Sequence, residues 1–338
     1  MKAHSRAQER TMTHRPIRVG SRPSHIATTV VGLVALTATT AASLASLAAC
    51  AGSQGAAPSG KIVVVASTNV WASVASAVGG AAVSVTALLS DPNADPHGYE
   101  AKPADAAVFA DANLVLSNGG GYDDYFTPLV DASGTKATRV VAFDLAQPGR
   151  GVDNSLAAPA DAANDTNEHV WYDLDTVRKV ADKVADNLTA IAPDKAAAFR
   201  ANAATFDRGL QDIAAKAAQI GQRKPGTKVL STEPVAAYLL HTAGITDVTP
   251  AEYSKAVEEE SDPPAEAVAV TTAMVSDREV AAVVDNSQTE TAVTRRLKEA
   301  AGAAGVPVVG VTETLPPGVT GYLDWMTKQV DALAKAVG

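Results

Sequence analysis

The sequence predicts an α/β protein of two lobes, each a mainly parallel sheet flanked by helices, joined by one long rigid helix. Three observations carry this. Short β-branched runs alternate with helix-like stretches from residue 61 to about 145, and the alternation restarts beyond Pro225. Strands separated by helices form βαβ units, and βαβ units build parallel sheets. Between the two regions, "DTVRKVADKVADNLTAI" and "DKAAAFRANAATFDRGLQDIAAKAAQIGQ" place apolar residues at helical spacing. The third observation is length, since 338 residues exceed one ordinary hydrophobic core.

Taken in order, "KIVVVAST" is a strand, "NVWASVASAVGG" a helix and "AVSVTALLS" a second strand. "NLVLSN" at 113–118 and "TRVVAFD" at 138–144 are further strands, with helices starting near Pro103 and Tyr122. Residues 145–168, rich in Ala, Gly and Pro, form a long surface loop. The helical region that follows is interrupted at Ala192–Pro193 and stopped by Gly221 and Pro225. About 27 residues of continuous helix run roughly 40 Å, the scale of a whole domain. Such a strut favours small adjustments over large hinge closure. "TKVLST", "AAVVDN" and "VPVVGVT" are the later strands, with helices around "PVAAYLLHTAG", "ETAVTRRLKEAAGAAG" and "YLDWMTKQVDALAKAV". The expected division is an N-terminal lobe at 61–172, a connecting helix at 173–224 and a C-terminal lobe at 225–338.

The first 49 residues differ from the rest. Five arginines, from Arg6 to Arg22, precede an uncharged stretch from Ile26 to Ala49 that ends in "SLAAC" at Cys50. A basic head, an apolar middle and a small-residue exit describe an export signal, residues 1–49. The stretch is also long enough for an uncleaved membrane anchor, although its many Thr, Ser and Ala residues weaken that reading. Cys50 is the only cysteine, so no internal disulfide framework exists. Its place after "LAA" resembles the lipobox of bacterial lipoproteins, which implies a lipid on Cys50 and a membrane-anchored, extracytoplasmic protein. Residues 50–60 then form a flexible tether. Removing residues 1–49 takes six of the 28 basic and one of the 37 acidic side chains, leaving a net charge of −14. An acidic chain with 4% aromatic residues is not built to bind nucleic acid.

Three histidines lie beyond residue 49: His97, His169 and His241. His241 falls near the end of a helix, where an exposed histidine is unremarkable. Parallel sheets bind ligands at the carboxyl ends of their strands. His97, Glu233 and Glu313 each follow a strand in that way, and His169 enters from the loop opposite. Two imidazoles and two carboxylates meeting between the lobes suit a divalent transition metal. Spacing alone does not select this set, and Glu233 before Pro234 also suits a helix N-terminus. "NGGGYDDY" at 118–125 lacks a P-loop lysine and reads as a turn into a helix, while "EEESD" at 258–262 reads as a solvated loop. Neither G-x-S-x-G nor H-E-x-x-H occurs.

The segments "DPHGYEAKPAD", "EHVWYDLDTVRKVADKVADNL", "DKAAAFRANAATFDRGL" and "KVLSTEPVAAYLL" resemble the metal-binding lipoproteins of manganese and zinc ABC transporters, the cluster A-I solute-binding proteins. The resemblance covers about residues 61–338. In that family the first motif is roughly D-P-H-x-y-E and the second D-P-H-x-W-x-D. Here the second has Asn167 and Glu168 in place of Asp and Pro, while His169, Trp171 and Asp173 fit. The resemblance implies His97 and His169 as the first two metal ligands and Glu233 as the third. The fourth is normally an aspartate, and Glu313 stands in its place with one more methylene of reach.

These features imply a monomeric binding protein that captures Mn²⁺ or Zn²⁺ and delivers it to the membrane permease of an ABC transporter. Two other classes stay open: an exported metal-dependent hydrolase, and a siderophore- or cobalamin-binding protein of the same two-lobed plan. A catalytic metal keeps a position open, whereas four protein ligands close the shell, which favours capture over catalysis. Two carboxylates offset the metal's charge and lean toward the harder Mn²⁺, as does the absence of a His-rich loop between His97 and His169. Because ligands must be deprotonated, affinity should fall as pH drops through the histidine range, about 6.5.

Overall fold

The structure, a computed structural model, describes residues 60–91, 98–146 and 167–338. The export signal, Cys50, the tether up to residue 59 and His97 lie outside the described residues.

Two four-stranded, all-parallel sheets form the scaffold. The first contains β1 (Ile62–Thr68), β2 (Val83–Leu89), β3 (Leu114–Ser117) and β4 (Thr138–Val141), in the order β2-β1-β3-β4. The second contains β5 (Lys228–Ser231), β6 (Thr246–Asp247), β7 (Ala282–Asn286) and β8 (Val308–Val311), in the order β6-β5-β7-β8. The two orders are the same, so each sheet reverses its winding between its two central strands. The carboxyl ends on either side of such a reversal frame a natural ligand crevice. The central strands read as continuous apolar runs because helices cover both faces: β3 and β7 are buried throughout, whereas the edge strands β2 and β8 alternate buried and open positions.

Helices α1 (Asn69–Gly79) and α2 (Phe126–Ser133) flank the first sheet. Pro103–Phe109 is 3₁₀-helical rather than α-helical. In the stretch 173–224 the chain forms two helices, α3 (Leu174–Ile191) and α4 (Ala196–Arg223), turned back on each other at Pro193. Helix α3 packs on the first sheet's side, and α4, of 28 residues, is the long connection between the halves. Its far end meets the second half closely: Gly221 N–H donates to the Ala243 carbonyl at 2.8 Å, and a Cβ on Gly221 would lie 2.5 Å from that oxygen.

The second sheet carries α5 (Ala237–Thr242), α6 (Ala251–Glu258), α7 (Ala265–Ser276) and α8 (Ala292–Ala304). Thr291 caps α8, accepting from Thr294 N–H at 3.2 Å while Thr294 Oγ1 accepts from Thr291 N–H at 2.9 Å. The last helix, α9 (Tyr322–Val337), crosses back to the first half. Its Tyr322 N–H donates to Ser73 Oγ at 2.8 Å, and the Tyr322 ring lies 5.8 Å from Phe206 of α4. One apolar core therefore runs from Val64 and Trp71 through Val177, Phe206 and Trp325 to Val229 and Val284. Among the described residues no helix is long and apolar enough to cross a membrane.

Candidate metal centre

The carboxyl ends of the two sheets face each other across three ties. Asn69, just past β1, accepts from Leu315 N–H at 2.9 Å. Tyr172 donates its hydroxyl to the Thr312 carbonyl at 2.8 Å. Asn167 donates its side-chain amide to the Pro234 carbonyl at 2.8 Å, and its own carbonyl accepts the Tyr238 hydroxyl at 2.7 Å. These contacts bring the loop entering α3 beside Glu233 and Glu313.

His169 is buried. Its backbone N–H donates to Asn167 Oδ1 at 2.9 Å, and its Nδ1 lies 2.6 Å from the same oxygen. An amide oxygen can only accept, so Nδ1 carries the proton and Nε2 carries the lone pair. Trp171 and Tyr122 wall the imidazole, with ring centroids 5.1 and 6.2 Å away.

Glu233 and Glu313 are also buried, and one side chain joins them. Asn286, the last residue of β7, donates through Nδ2 to Glu233 Oε2 at 2.9 Å and to Glu313 Oε1 at 2.7 Å. The Thr289 hydroxyl donates to Glu233 Oε1. Gln288 Oε1 accepts from the backbone N–H of Glu313 at 2.5 Å and of Thr314 at 3.2 Å. Both carboxylates thus take their positions from the loop between β7 and α8.

Two further carboxylates stand at the same place. Glu168, His169 and Glu258 offer donor atoms that all lie within 4.8 Å of one another, and Glu258 Oε1 is 4.0 Å from His169 Nδ1. The "EEESD" run is therefore only partly a solvated loop, because its first glutamate ends α6 against the histidine. Burial, then the charges of Glu313, Asp124 and Asp123, push the Glu168 carboxyl up to about 7. Burial, with the Glu313 carboxylate facing it, keeps the Tyr122 phenol neutral and its pKa well above the usual value.

"NGGGYDDY" is a turn leading toward α2, and it also lines the site. Gly119, Gly120 and Gly121 all have positive φ, and a Cβ on Gly121 would come within 3.2 Å of Glu168 Oε2. Asp123 fills this turn from inside, accepting from Asn118 N–H at 2.6 Å and Gly119 N–H at 2.7 Å. His241 is exposed in the last turn of α5 and takes no part.

Of the four residues singled out from the sequence, Glu233 and Glu313 are joined through Asn286, His169 is grouped with Glu168 and Glu258 on a loop tied to Pro234 and Thr312, and His97 lies outside the described residues. Asn286, Tyr122, Glu168 and Glu258 complete the described surroundings. Asn286 carried a readable signal, a polar side chain at the end of a strand, as did Asn118 after β3. Chemically, buried carboxylates beside an imidazole whose Nε2 carries a lone pair can hold a cation of mixed nitrogen and oxygen preference.

Comparisons with known proteins agree with this architecture. The chain is 26% identical over 150 residues to the manganese-binding lipoprotein MntA of Halalkalibacterium halodurans, covering 44% of this chain and 46% of that protein. It is 25% identical over 159 residues to the manganese-binding lipoprotein MntA of Bacillus subtilis, covering 47% and 50%. The chain thus spans about half the length of the curated relatives it matches. The periplasmic zinc-binding protein TroA of Treponema pallidum superposes with a TM-score of 0.67 at 20% identity, over 82% of this chain and all of that one. With a matching family model that spans residues 64–336, the chain belongs to the family of ZnuA, the periplasmic component A of the zinc-uptake complex.

Proposed function

We propose that this protein captures a divalent transition metal, Mn²⁺ or Zn²⁺, between its two halves and delivers it to the permease of an ABC transporter. The ligand set is His97, His169, Glu233 and Glu313, drawn from lobes at 61–172 and 225–338. The observation that carries the reading is the convergence of two buried carboxylates on one amide, with a buried histidine on a loop tied to the residues next to them. Buried carboxylates are costly without a counter-charge, and a divalent cation supplies one. The family's zinc-uptake role and the manganese-binding relatives support the same class of cargo. The two carboxylates of this set favour Mn²⁺, the harder ion. Capture rather than catalysis follows from a shell filled by protein groups. A lipid on Cys50 holds the protein on the outer face of the cytoplasmic membrane.

Elemental analysis of the protein as isolated, beside His97→Ala and Glu233→Ala, tests the assignment. Bound metal in the parent and its loss in both variants is expected. A full complement in both variants would overturn the ligand set. In calorimetry, metal at ~1,000 times its dissociation constant should stabilise the fold by roughly 4 kcal/mol.

A further inference from the structure

Glu233 and Glu313 belong to different loops, one after β5 and one after β8, yet both end on the same nitrogen. Two like charges so placed repel unless something lies between them. Asn286 supplies that element with two amide hydrogens, one for each carboxylate. Its own orientation is fixed. Its backbone N–H donates to Thr232 Oγ1 at 2.9 Å, and its Oδ1 accepts from Gln288 N–H at 3.2 Å, so Nδ2 is turned toward the glutamates. Asn286 is buried, which shields these bonds from bulk solvent.

The neighbours act in the same sense. Thr289 donates to the other oxygen of Glu233, and Gln288 grips the backbone of Glu313 and Thr314. Gln288 Nε2 also donates to Thr314 Oγ1 at 2.9 Å. Asn286, Gln288 and Thr289 therefore clasp both acidic loops at once.

We propose that Asn286 is a positioning residue that assembles the carboxylate pair before metal arrives, with Thr289 as its accessory. This rests on Glu233 and Glu313 being metal ligands. A carboxylate offers about four lone-pair sites, and the amide takes one from each glutamate, so this bond by itself does not block a cation. The pair is pre-organised, and binding need not gather two repelling side chains from separate loops.

The test is Mn²⁺ and Zn²⁺ affinity by chelator competition, with the electron paramagnetic resonance spectrum of bound Mn²⁺, for the parent, Asn286→Ala, Thr289→Val and Ser287→Ala. Asn286→Ala should weaken binding about 10- to 100-fold and change the Mn²⁺ spectrum. Thr289→Val should weaken it less, and keeps the proposal testable if Asn286→Ala fails to fold. Ser287, exposed on the same loop, should change neither quantity. Parental affinity and spectrum in folded Asn286→Ala, or in Thr289→Val if the former does not fold, would overturn the proposal. Failure of the parent itself to bind either metal would instead overturn the metal-binding reading on which it rests.

Discussion

The hydroxyl of Tyr172 donates to the main-chain carbonyl of Thr312 at 2.8 Å, so the turn that carries His169 is fastened to the residue preceding Glu313. Tyr172 is buried and Thr312 half-buried. Tyr172→Phe leaves that carbonyl without this donor, and also removes an acceptor 3.4 Å from the Thr312 N–H. The expected loss is about 1–2 kcal/mol of unfolding free energy. Urea denaturation of the metal-free protein measures it, and an unchanged midpoint would show that the bond does not support the fold.

Asn167 stands where the resembling motif has an aspartate, and its amide serves both sides of the crevice. Its oxygen holds His169 and its nitrogen holds the Pro234 carbonyl beside Glu233. Asn167→Ala should lower metal affinity about 10- to 100-fold by freeing the imidazole's orientation. Isothermal titration with Mn²⁺ reads this directly, and a loss under threefold would assign Asn167 a structural role only.

Two glycines in helices should respond in opposite directions to alanine. Gly221→Ala would drive a methyl into the Ala243 carbonyl at 2.5 Å and part α4 from the second half. This should cost about 1–3 kcal/mol. Gly302 in α8 has open space where a Cβ would stand, and Gly302→Ala should stabilise by about 0.5–1 kcal/mol. Thermal unfolding of the pair, side by side, distinguishes close approach from helix propensity.

Asp175, in the first turn of α3, gives a pH-dependent contribution of known sign. Partial burial pushes its carboxyl upward, but hydrogen bonds and charge from Lys179 and Arg178 outweigh this and hold it below its ordinary value. A depressed pKa in the folded state means stabilisation that is fully present above about pH 4 and disappears as pH falls through the folded value. The groups are partly exposed and screened by solvent, so Asp175→Asn should cost only about 0.5 kcal/mol at pH 7. The difference from the parent should vanish near pH 2. A difference that grew on acidification would refute the ion-pair account.

Much of the fold was legible because its central strands are buried on both faces. "KIVVVAST", "NLVLSN" and "AAVVDN" are runs with no polar face, and each holds a central strand. β6 has two residues, too few for a pattern, and α6 and α7 went unread. In α7 the cause is physical. "AEAVAVTTAMVS" has no distinct apolar stripe, and its Val270 is 45% exposed.

The candidate site was legible only as a position: Glu233 and Glu313 are charged side chains that follow strands, and the structure joins them through Asn286. Glu258 was hidden because an acidic run has the same composition whether it is solvated or half-buried. Its proximity to His169 depends on how α6 docks, which no local pattern records. Tyr122 was hidden in a glycine-rich turn for the same reason.

The apolar core that runs through α1, α3, α4 and α9 makes the two sheets one thermodynamic body. Swinging one half away from the other would strip Phe206, Tyr322 and Trp325 of their partners, a cost resembling that of unfolding itself. Heat should therefore melt both sheets in a single transition, and amide protons of β1 and β5 should exchange with a common free energy. On the proposed function, exchange of a bound ion would then fall to local openings and not to separation of the halves.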